Sequence, residues 1–161
     1  MKSPIINAVW AIALIIVLGS CSKTETISLN QSDISQNELK ELALTKGDTI
    51  AYHQLSIGYM DSPNDPNFYT VASTMANKYK YHEAYLDSYY TLTDYYHRSN
   101  YRNLDDLDIS KRKSAISYLI LGANKGSKEC KKLLGHYYID GKYIAQNMKE
   151  GKRLIQEGEL Y

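Results

Sequence analysis

Hydrophobic positions divide the chain into three regimes. Ile5 to Leu18 is an apolar run broken only by Asn7, and Ser22 to Asn37 is polar, rich in Ser, Thr, Asn and Gln. From residue 38 onward, apolar residues recur at three- and four-residue steps, the period of a helix with one buried face. Strand-like alternation bounded by turn pairs is scarce. The pattern predicts helices near 36–46, 49–60, 67–78, 81–97, 111–125, 128–139 and 147–157, and hence an all-α fold. Asp65-Pro66 is placed to open the third helix, with Pro at its first position. Asn100 to Asp108 reads as an insertion loop, acidic at Asp105, Asp106 and Asp108.

The first run is too short to span a bilayer. Fourteen helical residues cover about 21 Å, against a hydrocarbon core of about 30 Å. With Lys2 ahead of it, the run reads as the h-region of a signal peptide. It ends in Leu18-Gly19-Ser20-Cys21. These four residues resemble the lipoprotein signal of bacteria: an aliphatic residue, two small residues and a Cys. The resemblance implies cleavage before Cys21, with palmitate-type acyl chains on that residue as a membrane anchor; two or more chains hold stably where one does not. Ser22, rather than Asp, follows the Cys, and the lipoprotein sorting rule then implies the outer membrane. Whether the domain faces the periplasm or the surface is open. The domain reading is a signal peptide at 1–20, a flexible tether at 21–37 and a helical domain at 38–161.

The helical domain repeats itself. Lys46-Gly47-Asp48, Ala51, Leu55, Tyr59 and Asp61 recur 79 residues later as Lys125-Gly126-Ser127, Cys130, Leu134, Tyr138 and Asp140. A degenerate copy lies between them around Ala84, with Tyr79 or Lys80 where the others have Gly. Steps of 33 and 46 between Ala51, Ala84 and Cys130 suit helix-pair repeats, the second with an insertion. Gly would end the first helix of a pair in a left-handed turn, and Asp48 or Ser127 would cap the next. Ala115, Ile116, Tyr118-Leu119, Gly122-Ala123, Lys125-Gly126, Leu134-Gly135, Tyr137-Tyr138, Gly141, Ile144, Asn147 and Gly151 resemble the Sel-one-like subclass of tetratricopeptide repeats. The match is good over 113–158 and partial over 42–61. Gly151 replaces the usual Ala, a conservative departure in size. The resemblance implies a short α-solenoid of about three helical hairpins plus a C-terminal capping helix that exposes Lys149, Lys152, Arg153 and Glu157. It also implies protein binding.

Charge and composition narrow the function. Of 161 residues, 19 are Lys or Arg and 18 are Asp or Glu, giving a net charge of +1. That balance argues against a dedicated nucleic-acid binder. With Cys21 acylated, Cys130 stands alone and reads as a small buried hydrophobe. His82-Glu83-Ala84-Tyr85-Leu86 begins like a zincin motif but lacks the second His. His53, His97 and His136 have no metal-like spacing, and Asp105 to Asp108 lacks the Gly and Glu of a calcium loop. Lys111-Arg112-Lys113 reads as solvated helix surface. No phosphate loop, nucleophile elbow or Cys/His pair is present. Neither catalysis, a metal nor a cofactor is expected.

Tyrosine is the unusual component, with 16 Tyr against one Phe and one Trp. Eight fall between 79 and 101. On a helix from 81, Tyr81, Tyr85, Tyr89 and Leu92 or Tyr96 form one stripe, read as core. Tyr90, Tyr95 and Tyr101 point elsewhere, beside His97, Arg98 and Arg102. Tyr is amphipathic and enriched at interfaces, so these six residues are the candidate partner-binding set. The expected function is that of an envelope lipoprotein whose helical domain holds a partner protein, as a scaffold or adaptor. The alternatives are an immunity protein against a periplasmic toxin and a glycan-binding module.

Overall fold

Five of the seven described α-helices begin where a short polar side chain accepts from free backbone amides. In the computed structural model, which describes residues 34–97 and 103–160, Ser35 caps α1 (Gln36–Glu41). Helix α1 runs on through a π-helical turn, Leu42–Lys46. Asp48 Oδ1 accepts from the amides of Ile50 and Ala51 to start α2 (Thr49–Asp61). Helices α3 (Phe68–Asn77) and α4 (His82–Leu92) follow. Asp108 then caps α5 (Ile109–Asn124), Ser127 caps α6 (Lys128–Asp140) and Asn147 caps α7 (Met148–Glu159). Among the described residues there is no strand. The fold is all-α.

The turns follow the repeat. Gly47 (φ 68°) and Gly126 (φ 93°) are left-handed, as the pattern predicts. The middle copy keeps that geometry without glycine: Lys80 has φ 59°. Ala51, Ala84 and Cys130 each lie four residues past a left-handed turn residue, and all three are buried. The middle copy keeps the left-handed turn and the buried small residue, but Tyr81 stands before its helix without the side-chain cap that Asp48 and Ser127 supply in the others. Gly47 has a second constraint: a Cβ there would lie 2.3 Å from the Tyr79 ring. The Tyr79 hydroxyl donates to the carbonyls of Leu44 and Thr45. These are terminal carbonyls of the first helix, which a helix end leaves unsatisfied.

Successive helices pack on one another, and side chains also bridge α2, α3 and α4 each to the next helix but one. Tyr52 of α2 reaches Asp87 of α4, Tyr69 of α3 meets Tyr118 of α5, and Tyr89 of α4 meets Tyr137 of α6. The core runs along these contacts, with Tyr52, Phe68, Met75, Tyr85 and Leu119 all nearly or fully buried. The closest approach is α6 against α7. A Cβ on Gly135 would meet the Gly151 carbonyl at 2.8 Å, and one on Gly151 would meet the Gly135 carbonyl at 2.7 Å. Gly151 in place of Ala is thus a packing requirement. Lys149, Lys152 and Arg153 are exposed on α7, while Glu157 is half-buried and bonds Lys131.

Three expectations need correction. The helix expected over 81–97 stops at Leu92. Thr93 turns its hydroxyl back onto the carbonyls of Tyr89 and Tyr90, and Asp94 takes φ 52°. Side-chain bonds of this kind compete with the helix ladder. Pro66 lies in a turn ahead of α3 rather than in its first turn, with Asp65 accepting from the Asn67 amide. The insertion is anchored: Leu104 and Leu107 are buried, around a 3-10 turn at Leu104–Asp106. Arg112, read as solvated, donates to the carbonyls of Leu104, Asp105 and Leu107.

Candidate functional site

Helices α2, α4 and α6 converge on a groove of about 680 Å³. Helix α2 presents His53, Ser56, Ile57 and Met60. Helix α4 presents His82, Glu83, Leu86, Asp87 and Tyr90. The turn after α4 adds Tyr95 and Tyr96, and the start of α6 adds Gly126 to Glu129. Helical periodicity explains the set, because His53, Ser56, Ile57 and Met60 are neighbours at three- and four-residue steps.

Three tyrosines form one wall. Tyr90 and Tyr95 stack with centroids 4.0 Å apart and planes 16° apart. Tyr96 meets both edge-on, at 5.4 and 5.7 Å, the arrangement that ring quadrupoles favour. The left-handed residue Asp94 makes this cluster by folding Tyr95 and Tyr96 back against α4. Burial raises the Tyr90 phenol pKa and, with nearby Asp87, raises that of Tyr96.

Asp87 lies at the centre of this wall and is only 7% exposed. Its Oδ2 accepts from Tyr52 at 2.6 Å and Ser56 at 3.0 Å, and its Oδ1 accepts from Tyr96 at 3.2 Å. Burial pushes the carboxyl above its usual range, against the opposing pull of the three hydroxyls. Glu83 stands nearby and accepts from the Tyr81 hydroxyl. It lies 3.9 Å from both His53 and His82.

The sequence-derived residues divide between two sites. Tyr90 and Tyr95 are in the groove. His97 lines a separate hollow of about 430 Å³ with Tyr59, Asp65, Pro66 and Asp94. Arg98, Tyr101 and Arg102 lie outside the described residues, as do Cys21, the signal run and the tether up to residue 33. The sequence reading missed Ser56 and Asp87, and it gave Tyr96 to the core stripe rather than to the groove. One signal was present, since Asp87 stands three residues after Ala84 on the face that also carries Ser88. Tyr85 and Tyr89 of the expected stripe are buried, at 2% each, while Tyr81 is half-buried.

Cys130 is fully buried, and burial pushes its thiol up to about 11. It is a packing residue against Gly122, where a Cβ would come within 2.5 Å of its sulfur. Among the described residues no group of three His, Cys, Asp or Glu is placed to hold a metal. None of their helices is long and apolar enough to cross a membrane. Comparison with known proteins gives no match: no family model fits the chain, and no curated protein or solved structure is significantly similar to it.

Proposed function

We propose that this chain is a lipid-anchored protein of the bacterial envelope whose helical domain is a short α-solenoid that binds a partner protein. Three left-handed turns, at Gly47, Lys80 and Gly126, support the three-hairpin arrangement. So do the bridges from α2, α3 and α4 to the next helix but one, which would link successive layers of a solenoid. The capping role of α7 is supported by its exposed face of Lys149, Lys152 and Arg153. The anchor and the outer-membrane location rest on Leu18-Gly19-Ser20-Cys21 and Ser22.

The observation that carries the binding reading is the Tyr90–Tyr95 stack in the wall of the groove. Tyr95 is 46% exposed. Stacked Tyr side chains have few rotors to immobilise and bury large area on binding. In-cell crosslinking followed by purification and mass spectrometry tests it, with Cys21→Ala beside the parent chain. The expected result is one dominant envelope protein, lost on Tyr95→Ser while the thermal melt is nearly unchanged. A crosslinked set that is identical for the parent and Tyr95→Ser would overturn the reading. A toxin as the partner would specify an immunity role, and glycan retention in place of a protein would replace it.

A further inference from the structure

A buried carboxylate needs partners for its charge as well as for its lone pairs. Asp87 has three hydroxyl partners and, among the described residues, no cation. We infer that the groove receives the ammonium group of a lysine side chain from a partner protein, held end-on against Asp87 and flanked by Tyr90 and Tyr96. This inference rests on the partner-binding reading above and specifies its chemistry.

Acceptor geometry selects the cation. A carboxylate offers about four acceptor positions. Tyr52 and Ser56 both donate to Oδ2, while Tyr96 alone donates to Oδ1. One position is left, on the oxygen whose hydroxyl partner is itself part of the groove wall. A guanidinium fork binds best across both oxygens. A compact ammonium needs one oxygen, on a stem long enough to reach a groove floor. The tyrosine faces beside it favour a cation further, and the stem would lie along the apolar surface of Ile57 and Leu86. The wall carries three carboxylates, Glu83, Asp87 and Glu129, against one lysine, Lys128. Glu129 is paired with Lys132 at 2.7 Å, and Glu83 is half-exposed beside His53 and His82, each at 3.9 Å, so the buried carboxylate without a cation among the described residues is Asp87.

The probe is an N-acetylated hexalysine peptide titrated into the full chain, with the same peptide acetylated on every side chain as control. The expected result is binding of hexalysine only, about tenfold weaker in Asp87→Asn, with backbone NMR shifts centred on Asp87, Tyr90 and Tyr96. Equal affinity for the acetylated peptide would overturn the inference, as would hexalysine shifts confined to other surfaces. The wild-type peptide comparison and shift map hold even if Asp87→Asn folds poorly. An envelope partner whose capture depends on Tyr95 but not on Asp87 would sink the lysine inference and leave the adaptor reading standing. Hexalysine binding at Asp87 without any crosslinked partner would do the reverse.

Discussion

Gly151→Ala sets two effects against each other. Alanine is the better helix former, by about 1 kcal/mol in a helix interior, and the repeat resemblance would place it here. In the fold, an added Cβ lies 2.7 Å from the Gly135 carbonyl and 2.7 Å from Ile139 Cγ1. The isoleucine could rotate away, but the carbonyl belongs to the backbone of α6. Helix α7 would have to retreat, at a typical overpacking cost of about 1–3 kcal/mol. Retreat also loosens Leu154, which is 6% exposed and buried by the same approach. The net expectation is a loss of about 1–2 kcal/mol, which lowers the melting temperature by about 3–8 °C for a domain of this size. Circular dichroism melts of the parent and Gly151→Ala at equal concentration measure it. A melt that rises by the propensity gain would refute the close approach of α6 and α7. A second alanine at Gly135 presses on the same contact, and its cost should be less than additive once α7 has moved.

Lys80→Gly should stabilise, by about 0.5–1 kcal/mol, because the left-handed turn at φ 59° costs lysine more than glycine; urea unfolding checks it. Asp87→Ala should cost about 3–5 kcal/mol, since three hydroxyls lose an ionised acceptor and at least the Tyr52 hydroxyl is left buried. Asp87→Asn should cost far less in the same assay. The two variants also set the pH dependence. Burial raises the Asp87 carboxyl in the folded state, so the native chain holds this proton more tightly than the unfolded one, whose carboxyl titrates near about 3.9. The Asp87 contribution is therefore largest below that value and declines as pH rises through the raised one. Asp65, Asp105, Asp108, Glu150 and Glu157 are lowered and act in the opposite direction. Glu83, Tyr52, Tyr81, Tyr90, Tyr96 and Cys130 also face Asp87. The quantity to measure is therefore the melting difference, wild type minus Asp87→Asn. It should fall as pH rises from about 4 towards neutrality; a flat difference would refute the raised carboxyl.

Local chemistry made most of the helices legible. Ser35, Asp48, Asp108, Ser127 and Asn147 are short polar residues ahead of periodic apolar runs, and all five cap helices. The 79-residue echo correctly placed the turns at Gly47 and Gly126. What failed was decided by contacts at a distance in sequence. The periodicity of Tyr89, Tyr90, Tyr95 and Tyr96 extends a helix to 97, and nothing in that run announces that Thr93 will turn its hydroxyl inward. Arg112 looks like one charge among three until Leu104 and Leu107 come to lie beside it. The groove was legible only in part for the same reason. Tyr90 and Tyr95 stand out by composition, but Asp87 becomes notable only when α2 brings Tyr52 and Ser56 to it from more than 30 residues away.

Asp87 joins the stability of the fold to the proposed binding groove. Tyr52 and Ser56 belong to α2, Asp87 to α4, and Tyr96 to the turn beyond it, so one carboxylate ties together the elements that shape the groove. A neutral side chain could meet the same hydrogen-bonding demand. An asparagine oxygen at the Oδ2 position would accept from Tyr52 and Ser56, and its amide would donate to the Tyr96 oxygen. The negative charge is then surplus to the structural role, and burying it costs stability. A charge with no cation partner among the described residues, set in the wall of a tyrosine-lined groove with one acceptor position open, is what the inferred lysine would pair with. Asparagine at position 87 separates the two roles, because it keeps the hydrogen bonds and removes only the charge.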